Sequence, residues 1–146
     1  MSVSRLVGVM LALCLFGYIK GNELSIGNKD LPEVGEVLRG YNEDEVRERL
    51  DNMDLQHVEG LWSYPHEQMI VVVERYESSK LSKKIDYRMV MVSSEDLSLL
   101  PGTVIGYMES SAVHNKYRLW IYSEKNGATL RNPQKCVATI DEGERK

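Results

Sequence analysis

The sequence predicts a mainly β protein: an antiparallel up-and-down meander with one short N-terminal helix. Two observations carry that expectation. Beyond Met69, runs rich in Val, Ile, Tyr and Trp follow one another at near-regular spacing. Turn signals at Pro101-Gly102, Asn126-Gly127 and Asn132-Pro133 separate them, and no helical crossover intervenes, so neighbours pair antiparallel. The stretch Val58-Glu59-Gly60-Leu61-Trp62-Ser63-Tyr64 marks the change from helical to extended period. In it Gly60 leaves room for a close approach, and Trp62, on the same face of an extended chain, brings a large apolar surface to one end of the sheet.

Taken in order, residues 1–21 read as an export signal, with Arg5 as the positive flank and Leu6 to Ile19 as the apolar run. About 14 residues fall short of the roughly 20 that span a bilayer as a helix. The expected cleavage follows Gly21, the alternative being an uncleaved membrane anchor. Leu11-Ala12-Leu13-Cys14 departs from a lipidation motif because Leu13 is not small and Cys14 sits inside the apolar run. Residues 22–41, with Gly27, Pro32, Gly35 and Gly40 among polar neighbours, have linker composition and predict a flexible tether.

Residues 42–146 then form a single domain. Asn42 is a good N-cap, Glu45 stands three residues later, and Glu43 and Asp44 suit the positive helix end. Val46, Leu50 and Met53 give an apolar stripe through about residue 53. Strands are expected at Gly60-Leu61-Trp62, Met69–Tyr76, Asp86–Ser93, Thr103–Ser110, Lys116–Glu124 and Lys135–Asp141. Glu142-Gly143 looks like the tip of a final hairpin with little chain left to return, so the sheet is expected to be incomplete. An unpaired edge at Lys135–Asp141 predicts self-association through the last strand.

The chain has 146 residues and a net charge of −4, which becomes −6 once Arg5 and Lys20 leave with a signal segment. An acidic surface without a basic, aromatic-interleaved run excludes nucleic acid as a partner. Of the two cysteines only Cys136 survives cleavage, so no internal disulfide is expected, and Cys136 reads as a small core residue.

A helix, then Gly60-x-Trp62 opening the first strand, then a meander from Met69 to Asp141, resembles the lipocalin-like (calycin) group, especially small exported bacterial domains. The resemblance implies that Gly60 and Trp62 are structural barrel-plug residues and that the Val46/Leu50/Met53 helix is a stopper for the same end. Such barrels close with about eight strands. Six predict a partial barrel.

No catalytic or metal constellation is legible. His57, His66 and His114 lack a second ligand at metal spacing, and Ser110-Ser111 has no glycine frame. Glu74, Glu109 and Glu124 read as solvated strand residues. The aromatics remain: Tyr87, Tyr107, Tyr117 and Trp120, on successive strands, are the expected ligand-binding residues, suited to apolar molecules with polar tips. Tyr117, Leu119 and Ile121 alternate with Arg118, Trp120 and Tyr122, so both faces of that strand are partly apolar and need covering. The expected function is an exported, non-enzymatic module, periplasmic or secreted, that holds a small hydrophobic or aromatic molecule without a cofactor. The alternative is an interaction domain of a cell-envelope protein assembly.

Overall fold

The structure is a computed structural model that describes residues 6–9, 11–13, 31–64, 68–77 and 85–139. Six antiparallel strands form one up-and-down sheet: β3 (Gly60–Tyr64), β4 (Met69–Arg75), β5 (Tyr87–Ser94), β6 (Val104–Ser110), β7 (Lys116–Asn126) and β8 (Thr129–Thr139). β3 and β8 do not pair with each other, so the meander is not closed. Two short strands flank it, β1 (Leu6–Val9) parallel to β3 and β2 (Leu11–Leu13) antiparallel to β8. Both belong to the apolar run expected to be an export signal. The rest of residues 1–30, and the hairpin expected at Glu142-Gly143, lie outside the described residues.

Register assigns the two faces of the sheet. One carries Trp62, Val71, Val73, Met89, Met91, Met108, Leu119 and Cys136. These eight are at most 5% exposed, yet residues 31–41 and the helix are tied to the opposite face and only loop 54–59 bonds to this one, at its end, so the sheet curls around them. This concave face is the main core, filled by Met and Val side chains.

The opposite, convex face carries Leu61, Val72, Val90, Tyr107, Trp120 and Tyr122, also buried. The chain supplies its own cover. The segment expected to be a tether is a strap over residues 31–41, bonded to the sheet by its backbone. Gly35 N–H donates to the Leu130 carbonyl at 2.7 Å, Leu38 N–H to Gly102 at 2.8 Å, and Asn132 and Val104 N–H to Glu33 and Glu36. Leu31 and Tyr41 at its ends are buried, and the Tyr122 hydroxyl donates to the Pro32 carbonyl at 2.7 Å. Composition misleads here because the strap's order comes from sheet partners rather than from its own propensity. Gly102 is required where strap and sheet meet: its φ is +101°, and an added Cβ would lie 1.9 Å from the Leu38 carbonyl oxygen.

The helix, α1 (Glu43–Asp51), starts as the sequence predicts. The Asn42 side chain caps the helix, its Oδ1 accepting from Glu45 N–H at 2.9 Å while its Nδ2 donates to the Glu45 carboxylate. Arg47 pairs with Glu43 one turn away at 2.8 Å. Only Val46 and Leu50 of the apolar stripe are buried, a contribution of about 1.5–3 kcal/mol each. The helix ends at Asp51, so Met53 falls beyond it and is exposed. Tyr41 and Arg49, at either end of the helix, both reach Glu74 on the convex face. The helix thus covers that face rather than stopping the concave end.

The last strand differs from expectation. It begins at Thr129, six residues before Lys135, and runs through the Asn132-Pro133 break. Asn132 takes a φ of +62° and drops out of the pairing, but the register is the same on both sides of it, and Pro133 stays in the ladder opposite Tyr122. The edge is also not bare: Arg131 pairs with Val34, and Val137–Thr139 pair with β2.

Candidate functional site

The four expected ligand-binding residues divide between the two faces. Tyr87 stands opposite Met108 and Tyr117 opposite Ser110, which puts both on the concave side. Tyr107 stands opposite Arg88 and Trp120, on the convex side. Trp120 and Tyr107 have no exposed surface beneath the cover. No single site contains all four.

On the concave side, Tyr87 and Tyr117 meet edge to face with ring centroids 6.5 Å apart. They stand where the loop 54–59 closes one end of the curl. The Tyr87 hydroxyl donates to Gln56 Oε1 at 2.8 Å, and the Trp62 indole N–H donates to the Val58 carbonyl at 2.7 Å. Trp62 therefore fastens this loop to the start of β3. Gly60 earns its place by conformation, with a φ of +127° as the loop enters β3. Glu59, buried behind it, accepts from Gln56 N–H at 2.8 Å and pairs with Arg75 Nε at 2.9 Å, so its charge is satisfied inside the plug. The rings of His57 and His114 come within 6.4 Å at this end, a juxtaposition their sequence separation hides. Among the described residues no group of three or more His, Cys, Asp or Glu could hold a metal ion. His66 lies outside them.

Burial raises the pKa of Tyr87, with Tyr117 and Asp86 adding to it, and burial alone raises that of Tyr117. Both hydroxyls stay protonated at neutral pH and can act as hydrogen-bond donors.

The convex side holds a polar centre under the aromatic layer. Glu74 accepts from Arg88 Nε at 3.1 Å and Nη2 at 2.7 Å, and from the Tyr41 hydroxyl at 2.7 Å. Arg88 lies 4.7 Å over the Tyr76 ring, and Arg49 lies 4.6 Å over the Tyr41 ring. Tyr107 packs between Tyr76 and Tyr122, at centroid distances of 5.6 and 6.3 Å. Burial and the neighbouring Tyr76 push the Tyr107 hydroxyl up to about 12. Burial lowers the Arg88 pKa, but the hydrogen bonds and charge of Glu74 outweigh it, leaving the guanidinium firmly charged. Glu74 is thus not the solvated strand residue expected. It neutralises an arginine that the helix and strap would otherwise bury alone.

A third feature was not legible in the sequence. Leu97 and Leu100, 88% and 53% exposed, lie on the loop between β5 and β6. Val34 and Val37, 47% and 41% exposed, lie on the strap. The strap is joined to the end of that loop by the Val37–Thr103 pairing and the Leu38–Gly102 hydrogen bond. Four exposed aliphatic side chains therefore come from two segments fastened together at one end of the sheet, the end opposite the 54–59 plug.

Comparison with protein-family models, with curated proteins and with solved structures gives no match.

Proposed function

We propose that this protein is an exported, non-enzymatic interaction domain that docks a protein of the cell envelope on the apolar rim formed by Val34, Val37, Leu97 and Leu100. The observation that carries the reading is the exposure of these four side chains on two segments bonded to each other. A packed concave face supports it as well, because Val71, Val73, Met89, Met91 and Met108 are fully buried by one another and offer little surface to a guest. Export is supported by Arg5 followed by the apolar Leu6–Ile19 run. No helix among the described residues is long and apolar enough to cross a membrane.

Site-directed photocrosslinking in the host tests this reading. A crosslinker at Leu97 or Leu100 should capture one discrete envelope protein. The same group at Val113, an exposed aliphatic residue in the β6–β7 connection at the other end, should not. Equal capture at both positions, or none at the rim, overturns it.

A second reading keeps the small hydrophobic or aromatic ligand. The Tyr87–Tyr117 pair at the plugged end favours it, since two protonated phenols beside a Met-rich interior suit such a molecule. It predicts a co-purifying small molecule in native mass spectra that organic extraction removes, and tyrosine fluorescence that responds to its return.

A further inference from the structure

Of the asparagines in the chain only Asn126 is followed by glycine. The dipeptide stands at the tip of the β7–β8 hairpin. The cross-strand ladder ends at the Asn126–Thr129 pair, so Gly127 and Ala128 make a two-residue loop, and the Gly127 nitrogen lies beyond the last pair. Residues 123–128 are exposed. Gly127 has a φ of +64°, and a Cβ added there would meet nothing within 4 Å.

The side-chain amide of an asparagine is open to attack by the backbone nitrogen of the residue that follows it. Glycine hinders that approach least, having no Cβ. The nitrogen must first lose its proton, and the negative charge then spreads onto the carbonyl oxygen of the same peptide group. In this hairpin that oxygen, the Asn126 carbonyl, accepts a hydrogen bond from the Thr129 hydroxyl at 2.9 Å. A donor already aimed at the atom where charge develops lowers the barrier. The residue before the asparagine holds the tip in place. Lys125 Nζ, 2.7 Å from Asp96 Oδ2, ties the hairpin to the loop between β5 and β6.

We propose that Asn126 is a self-modification site, activated by the Thr129 hydroxyl, whose isoaspartyl product loosens the Lys125–Asp96 tie. The Gly127 nitrogen gives its proton to solvent hydroxide and bonds to Asn126 Cγ. The carbon–nitrogen bond of the side-chain amide breaks, and the leaving nitrogen takes a proton from water and departs as ammonia, which restores the hydroxide. A five-membered succinimide ring remains. Water opens it at the side-chain carbonyl to give an aspartyl residue, or at the main-chain carbonyl to give an isoaspartyl residue whose chain runs through Cγ. In sum an amide and a water become a carboxylic acid and ammonia, with no oxidant or reductant. The isoaspartyl product lengthens the backbone directly after Lys125, which puts the last cross-strand pair out of register and moves the lysine away from Asp96. The site does not depend on the docking reading above, although the loop it frees carries Leu97 and Leu100.

Peptide mapping of the full-length chain, held for weeks at neutral pH, tests the proposal. Asn126 should exchange its side-chain nitrogen for oxygen, release ammonia and appear as two separable products. It should convert at least about tenfold faster than Asn42, Asn52 and Asn115 in the same sample. Thr129→Val keeps the side-chain shape without the hydroxyl and should slow conversion about threefold to tenfold, while Thr129→Ser should restore it. In the purified isoaspartyl form, amide exchange at Thr129 and Leu130 should quicken at least about tenfold. Carboxyl NMR of that form should place the Asp96 midpoint above its value of about 2 in the parent chain. An Asn126 that stays intact, or converts no faster than the other three, would overturn the site. Equal rates in the parent chain and Thr129→Val would overturn the activation. An isoaspartyl form with unchanged exchange and an unchanged Asp96 midpoint would overturn the loosening.

Discussion

Arg88 grips Glu74 with two hydrogen bonds, of 3.1 and 2.7 Å, across neighbouring strands on the face that helix and strap cover. With side chains 18% and 16% exposed, the pair is largely desolvated, and each partner depends on the other. Truncating one should cost more than removing both. Glu74→Ala is expected to lose about 2–3 kcal/mol in urea unfolding, because it strands the Arg88 charge and the Tyr41 hydroxyl. The double variant Glu74→Leu, Arg88→Leu should recover part of that loss. Equal or additive losses would mean that water already solvates the pair.

The plug makes a separate prediction. Trp62→Phe keeps an aromatic ring in the core but removes the donor to the Val58 carbonyl, and should cost about 1–2 kcal/mol. Exchange at Gln56–Glu59 should quicken more than elsewhere. A uniform change across the sheet would show that Trp62 matters for volume alone.

Gly102→Ala tests the junction of strap and sheet. Its Cβ would collide with the Leu38 carbonyl, and its backbone has a positive φ, so a loss above about 2 kcal/mol is expected, concentrated in residues 31–41.

At the rim, Lys125 Nζ sits 2.7 Å from Asp96 Oδ2. The Lys125 hydrogen bond, with two more from Ser98, lowers the Asp96 pKa to about 2. A carboxylate held below its ordinary value stabilises the fold above that value, and the stabilisation is lost as pH falls toward about 2. Carboxyl NMR should place the Asp96 midpoint there, and Lys125→Met should move it up toward the ordinary range. An unmoved midpoint would assign the shift to Ser98.

The tyrosines give the opposite sign. Burial raises the pKa of Tyr41, Tyr87, Tyr107, Tyr117 and Tyr122. Unfolding lets these hydroxyls ionise at the usual value near 10, so their contribution is complete below it and disappears as pH climbs to the raised values. Absorbance at alkaline pH should rise in two stages, the second coinciding with unfolding. A single stage near pH 10 in protein that stays folded would contradict this.

Much of the fold was legible because its signals are local. The Asn42 cap on Glu45, the Asn126-Gly127 turn and the six strand runs each depend on a few neighbouring residues. What stayed hidden depends on distant partners. Residues 31–41 look like a tether because their order comes from Thr103, Leu130 and Tyr122. The both-sided apolarity of Arg118–Tyr122 was visible, but not that the cover is the preceding strap and helix. Alternation likewise could not tell which residues of different strands share a face, because one-residue shifts in register, such as those in β4–β5 and β5–β6 pairing, reverse the assignment. Alternation already separates Tyr117 from Trp120 on their own strand, but only the pairings put Tyr87 with the first and Tyr107 with the second.

The measurement that bears most directly on this account is residue-resolved amide exchange of the native full-length chain at Gly35, Leu38, Val104 and Asn132. If the strap turns the aromatic convex face into core, all four amides should exchange at least about a hundredfold more slowly than in an unstructured chain. Exchange at the unprotected rate would make residues 31–41 a tether after all, and would return Tyr107 and Trp120 to the surface as candidates for binding.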